Sequence, residues 1–457
     1  LLDALPEAMR VLLDPAETGA VCISLAQDVQ GEAYDFPEAF LAPRLWHVAR
    51  RAPDRRELES VAAALRRSQR PLVIAGGGVR HGAAEEALRA FADGLGIPVA
   101  ETSAGKGTFH GELALGGIGV NGTAAANEVA AAADLVLCAG TRLTDFTTGS
   151  RSLFEHPGVR FASLNVAAAD AAVLGGLSLV ADARAGLEAL ANELSGWHAA
   201  PAGATAVRAA RKRWDAALAA DLAPRAGEGL TQGQVLRALN ARARAGDWVV
   251  AAAGSPPGDL LKLWEVPEGG AAHIEFGFSC MGHELPAALG IRLAQPEAGE
   301  VLAVIGDGTL LMAPSELATA AQEGLRVLVA VLVNGGYQSI HGLQRSHVGR
   351  SFGNEFRRRS GGDGLTGPIL AVDHAGLARS LGCAAYEAHD LDGLGAALER
   401  AREHDGPTVV VCHVEPGRAL LDSGVWWDLG VAAVSEPPET AALAAAHRER
   451  GRQRWFG

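Results

Sequence analysis

Apolar residues in this chain fall into short unbroken runs separated by longer amphipathic stretches. Residues 71–75, 135–139, 161–165, 248–251, 301–305, 327–333 and 408–414 are such runs, and 179–180 is a shorter one. A strand covered on both faces has no polar side, so runs of this kind predict buried strands of a parallel sheet. Between them, residues 4–13, 56–68, 81–95, 124–133 and 314–324 repeat apolar positions at helical spacing, and 439–448 suggests a surface helix. Residues 98–100 form one further short strand, and 21–25 read as a lone strand. Alternation of strand and helix predicts an α/β chain built as two Rossmann-like parallel-sheet domains.

The punctuation between runs divides the chain. Residues 1–30 look like the end of a domain, and the Pro- and Arg-containing residues 31–55 like a linker. Residues 56–195 form a first α/β domain, the Ala- and Arg-rich residues 196–228 a helical connector, 229–440 a second α/β domain, and 441–457 a tail.

Composition narrows the function. With 40 Lys and Arg against 53 Asp and Glu, the formal charge is −13, which argues against a nucleic-acid partner. Arg357-Arg358-Arg359 is too small a cluster to change that. No apolar run is long enough to cross a bilayer, so no membrane partner is expected. The five cysteines show no metal or disulfide spacing. Four of them, including Cys22, sit in apolar runs and are expected to be buried, a usage that suits a reducing cytoplasm.

The chemistry concentrates in the second domain. Gly306-Asp307-Gly308 ends one apolar run, and Asn334 ends the next, 27 positions on. Adjacent parallel strands finish on one edge, where ligands of α/β sheets bind. A carboxylate, an amide oxygen and a backbone carbonyl make a hard oxygen set suited to Mg²⁺ with phosphate and water. Gly308 is expected to let the backbone approach a phosphate closely. In the first domain, Gly76-Gly77-Gly78 invites a dinucleotide reading, but the spacing is imperfect and no acid follows at the right distance.

Gly-Asp-Gly, a strand–helix–strand passage and then Asn resemble the thiamine diphosphate enzyme family. Three stretches add to the resemblance: 278–290 around Met281, 253–259 after a strand, and Glu101 to Gly107 around Lys106. The resemblance implies thiamine diphosphate and Mg²⁺ as cofactors. Asp307, Asn334 and the Gly336 carbonyl would hold the metal, while Gly254, Ser255, Gly306, Gly308 and Thr309 would line the diphosphate. The Ser279 carbonyl and the Met281 amide would meet the aminopyrimidine. Residues 140–150, 182–188 and Trp426-Trp427-Asp428 resemble a branch of the family that opens a cyclic, polyhydroxylated 1,2-diketone by hydrolysis in inositol catabolism. An acetolactate-synthase-like lyase or synthase, or an inactive fragment keeping the cofactor fold, is the alternative. His283, Gln338, His341 and Gln344 are polar candidates near the two motifs. In this family an activating glutamate belongs to an N-terminal domain, of which residues 19–30 resemble only the closing strand. The chain by itself is therefore expected to be inactive, and a homo-oligomer is expected because the family's site spans two subunits. Asn334-Gly335-Gly336-Tyr337 departs from the branch, which usually carries a bulkier residue after the Asn.

Overall fold

The computed structural model describes residues 1–452 except 363, 433, 435 and 436. It contains two parallel sheets, each of six strands. The first comprises β1 (Pro71–Ala75), β2 (Val99–Glu101), β3 (Ala114–Gly117), β4 (Leu135–Ala139), β5 (Arg160–Asn165) and β6 (Leu177–Val180), in the spatial order β3-β2-β1-β4-β5-β6. The second comprises β7 (Trp248–Ala251), β8 (Ala271–Ile274), β9 (Val301–Gly306), β10 (Leu328–Val333), β11 (Ala384–Ala388) and β12 (Thr408–His413), in the order β11-β12-β10-β9-β7-β8.

Strand alternation separates two cores on each sheet. Val73 and Ala75 of β1 face one cluster with Phe91 and Leu187, and Leu72 and Ile74 face the other with Leu115 and Val207. Val249 and Ala251 of β7 join Trp264 and Val410, while Val250 turns to Leu285 and Val411. Burying one such aliphatic side chain contributes about 1.5–3 kcal/mol. Helix Ala202–Leu222 bridges the sheets and buries Val207, Ala210, Trp214 and Leu218.

Several expectations change. Residues 21–25 form no strand; Val21, Ile23 and Leu25 are exposed, because no neighbouring strand among the described residues supplies ladder partners. Cys22 and Cys280 are exposed, so the buried cysteines are Cys138, Cys383 and Cys412. The apolar 81–95 stretch is two helices, Gly77–His81 and Glu85–Leu95, separated at Ala83 with φ +47°. β3, β8 and β11 are too short or too mixed in polarity to have stood out. The C-terminal helix is longer than its apolar pattern suggests, Pro438–Arg452, and 453–457 lie outside the described residues. Among the described residues, no helix is long and apolar enough to cross a membrane.

The triple glycine has a packing reason. In the first sheet the chain leaves β1 for β2 on one side and later returns to β4 on the other, a reversal that in open sheets creates a crevice. Here backbone fills it: Gly78 N–H donates to the Gly140 carbonyl at 3.0 Å, and a Cβ on Gly78 would stand 2.6 Å from Gly140 Cα.

Candidate functional site

The second sheet reverses between β7 and β9, and its carboxyl edge gathers the motif residues. β9 and β10 pair in parallel, with Leu332 opposite Gly306. Asp307 and Asn334 thus leave neighbouring strands side by side, as the spacing predicts. The loop after β7 brings Ala253, Gly254 and Ser255 to the same edge, and the loop after β8 brings 275–283.

Asp307 is 1% exposed. Its Oδ1 accepts from Gly308 N–H at 2.9 Å and its Oδ2 from Gly335 N–H at 2.8 Å. Burial pushes its pKa up to about 6, against the pull of the surrounding backbone N–H groups. The Asn334 amide stands 3.2 Å from Asp307 Oδ1 and 3.0 Å from the Gly336 carbonyl oxygen and donates to both through Nδ2. Turning it over would bring Oδ1 to the same place and set three oxygens together. Neighbouring ligands of an octahedral Mg²⁺ stand about 2.9 Å apart, given its metal–oxygen distance of about 2.0–2.1 Å. With the amide oxygen turned inward, its separations from Asp307 Oδ1 and the Gly336 carbonyl match those of neighbouring ligands of such a cation. Gly336 makes this possible with φ +141°, and a side chain there would strike the Asn354 carbonyl.

The other predicted residues are placed as follows. Gly308 is glycine for a reason beyond phosphate approach: a Cβ would stand 2.7 Å from Tyr337 Cε1. Thr309 is buried beside it on the short helix Asp307–Leu310. Ser255 donates its hydroxyl to Gln232 Oε1 at 3.0 Å, and Gln232 Nε2 donates to Asp259 at 2.6 Å. Ser279 has φ +53°, a strained value for a serine, and its hydroxyl donates to the Ala252 carbonyl at 3.2 Å. Met281 is 38% exposed, open at this edge. His283 meets His273, Nε2 to Nε2 at 3.0 Å. Gln338 Nε2 donates to the Asn334 carbonyl at 3.1 Å. Gln344 Oε1 accepts from Phe352 N–H and Asn354 Nδ2, each at 2.9 Å, so its carbonyl is committed to shaping the following loop. His341 Nδ1 is buried without a partner.

Sequence reasoning missed the groups that hold these loops. Glu284 is fully buried; its Oε1 accepts from Ala253 N–H at 3.0 Å and its Oε2 has no partner. Burial raises its pKa. Glu275 accepts from Phe278 N–H at 3.0 Å and Cys280 N–H at 3.3 Å, fixing the loop that carries Ser279 and Met281. No spacing signal marks an acid that binds backbone from a different loop.

Residues 140–150 and Trp426-Trp427-Asp428, far apart in sequence, clasp each other. Trp427 Nε1–H donates to Asp145 Oδ2 at 2.8 Å, and Asp428 N–H donates to Ser150 Oγ at 2.9 Å. The Phe146 ring lies 4.6 Å from Trp427 and 4.9 Å from Phe276, which leads into the Ser279 loop. Lys106 is no surface charge: it is 7% exposed, 3.9 Å from Glu101, and donates to the Leu261 carbonyl of the second domain at 3.4 Å. A cavity of about 250 Å³ lies at the opposite, amino edge of the second sheet, between Arg242, Asp247 and Arg402. Its Arg402 is already paired with Asp247 and Glu300, and the convergent chemistry lies at the carboxyl edge.

Residues 252–412 match the C-terminal TPP binding domain of thiamine pyrophosphate enzymes, and residues 58–190 match the central domain. The chain belongs to the thiamine pyrophosphate enzyme family. Thiamine pyrophosphate is the same compound as thiamine diphosphate, the cofactor of this family. Within the family, the chain is 38% identical to a 3D-(3,5/4)-trihydroxycyclohexane-1,2-dione hydrolase of Geobacillus thermodenitrificans, over 98% of this chain and 73% of that protein. It is also 38% identical to the enzymes of that name from Clostridium tetani, over 96% of this chain and 72% of the relative, and Clostridium perfringens, over 95% and 72%.

Proposed function

We propose that this thiamine pyrophosphate enzyme hydrolyses the carbon–carbon bond between the adjacent ketones of 3D-(3,5/4)-trihydroxycyclohexane-1,2-dione, opening the ring to 5-deoxy-D-glucuronate. The observation that carries the reading is the clasp of Asp145, Phe146 and Ser150 with Trp427 and Asp428, whose aromatic contacts run through Phe276 to the Ser279 loop. It joins the stretches that resemble the ring-opening branch and sets them beside the cofactor edge. When bound, thiamine diphosphate supplies a carbon nucleophile and an electron sink for breaking a bond next to a carbonyl.

The chain's residues do the positioning. Asp307, Asn334 and the Gly336 carbonyl would hold a divalent cation, Mg²⁺, and Gly254, Ser255, Gly306, Gly308 and Thr309 would line the diphosphate. Ser279 and Met281 offer a carbonyl and an amide to the aminopyrimidine, in a loop pinned by Glu275. Glu284 ties that loop's helix to Ala253 of the other cofactor-facing loop. The His273–His283 pair offers imidazole nitrogens at the rim for the substrate's hydroxyls. A site that satisfies several hydroxyls rejects a small keto acid that would leave those groups unpaired. Phe278, 90% exposed, and Met312, 55% exposed, stand at this edge and support an assembly in which a second subunit covers it.

The test gives the purified enzyme, supplied with the family's N-terminal pyrimidine-binding domain, Mg²⁺ and thiamine diphosphate, the dione and pyruvate side by side. Formation of 5-deoxy-D-glucuronate with little acetolactate is expected. A preference for pyruvate would move the substrate assignment to an acetolactate-synthase-like reaction and leave the cofactor site standing.

A further inference from the structure

A second cluster of metal-ligating groups lies at the carboxyl edge of the same sheet, on β11 and β12. The two strands pair in parallel, with Glu387 opposite Val411 and Ala388 opposite Cys412. Side chains alternate along a strand, so Glu387, His389, Val411 and His413 fall on one face. This is the face where Val409 and Val411 pack against Ala375 and Ala378 of helix His374–Ser380.

Glu387 Oε2 lies 3.0 Å from His413 Nε2 and 4.0 Å from His389 Nε2. The second distance is too long for a hydrogen bond. The two imidazoles are stacked, centroids 4.2 Å apart and 9° from parallel. One ligand atom from each of the three residues lies within 4.8 Å of the others. Around a tetrahedral zinc with bonds of about 2.0–2.2 Å, neighbouring donors stand about 3.3–3.5 Å apart. A shared metal would require His389, which is 68% exposed, to turn out of the stack so that its in-plane nitrogen lone pair converges with that of His413.

A second observation comes from behind the triad. His374, at the first position of the covering helix, is 3% exposed, and neither of its ring nitrogens has a partner. Burying unpaired imidazole nitrogens costs about 1–3 kcal/mol each, and such groups ask for an explanation.

We propose that Glu387, His389 and His413 bind one zinc-class divalent transition-metal ion, separate from the oxygen set of Asp307, Asn334 and Gly336. The donor types divide the two sites: imidazole suits zinc, whereas carboxylate and carbonyl oxygens suit Mg²⁺. His413 pairs with Val333, the residue before Asn334. Zinc would therefore brace the end of β12 next to the strand that presents Asn334.

The experiment strips the full chain with a chelator, saturates it with Mg²⁺, and measures Zn²⁺ by equilibrium dialysis with metal analysis. Co²⁺ serves as a spectroscopic probe. About one zinc per chain is expected, with a cobalt spectrum typical of nitrogen and oxygen ligands. His389→Ala and His413→Ala should each weaken zinc binding at least about tenfold, and Asp307→Ala should leave it unchanged. His389 is largely exposed, so its variant tests the site without threatening the fold. No bound zinc in the parent chain, undiminished zinc in His389→Ala, or loss of zinc in Asp307→Ala would each overturn the assignment.

Discussion

Asp307 combines two demands that oppose each other. It must be ionised to hold a cation, and it must be buried to hold that cation away from water. Its folded-state pKa of about 6 lies above the ordinary aspartate value of 3.8. The sign follows directly: a carboxyl whose pKa is raised by folding stabilises the chain while protonated, and that contribution is lost as pH rises through the folded value. A divalent cation reverses the loss by neutralising the carboxylate. Added Mg²⁺ should therefore raise the thermal midpoint of chelator-treated protein more above about pH 6 than below it, as differential scanning fluorimetry across a pH series would show. Asp307→Ala should remove that dependence and abolish Mg²⁺-dependent thiamine diphosphate binding in calorimetry. Unchanged cofactor affinity in this variant would remove Asp307 from the metal site.

At the scale of elements, the two domains are joined by loops that belong to neither sheet. The helix Asp145–Thr148 and the loop around Trp427 meet through one charge-assisted hydrogen bond and a tilted aromatic contact. The partners are partly exposed, so solvent screens the bond. A double-mutant cycle pairing Trp427→Phe with Asp145→Ala should give a coupling of about 1 kcal/mol, read from denaturation midpoints. Trp427→Phe keeps the Phe146 contact, so the cycle reports the hydrogen bond. A coupling near zero would mean that the aromatic contacts alone hold the clasp. Both strings were legible as distinctive runs, but their meeting was not, because sequence distance carries no information about which loops a fold brings together.

At the scale of the molecule, Lys106 carries the domain interface. A buried cation is costly, and burial lowers its pKa while Glu101 pulls the other way. Removing one partner of such a pair strands the other. Lys106→Met should therefore destabilise the protein by about 3–5 kcal/mol. Lys106→Met with Glu101→Gln should recover most of that, since Gln retains an oxygen for Phe109 N–H, which now donates to Glu101 at 2.9 Å. Thermal unfolding of both variants beside the parent checks it. A Lys106→Met protein as stable as the parent would show that the ion pair contributes nothing.

The sequence alone determined the α/β class, most strands and the edge on which Asp307 and Asn334 emerge. These rest on local rules: a fully apolar run marks a doubly covered strand, and parallel strands end on one side. Tertiary structure decided the rest. It exposed the apolar residues 21, 23 and 25, because a strand needs a neighbour and none is described beside it. It buried Lys106 beside Glu101, because another domain covers it. It committed Gln344 to its own loop and brought Glu284 under Ala253, contacts between segments that no periodicity connects. It also stacked His389 on His413, since the pairing of β11 with β12 depends on register, and register is fixed by what the whole sheet buries.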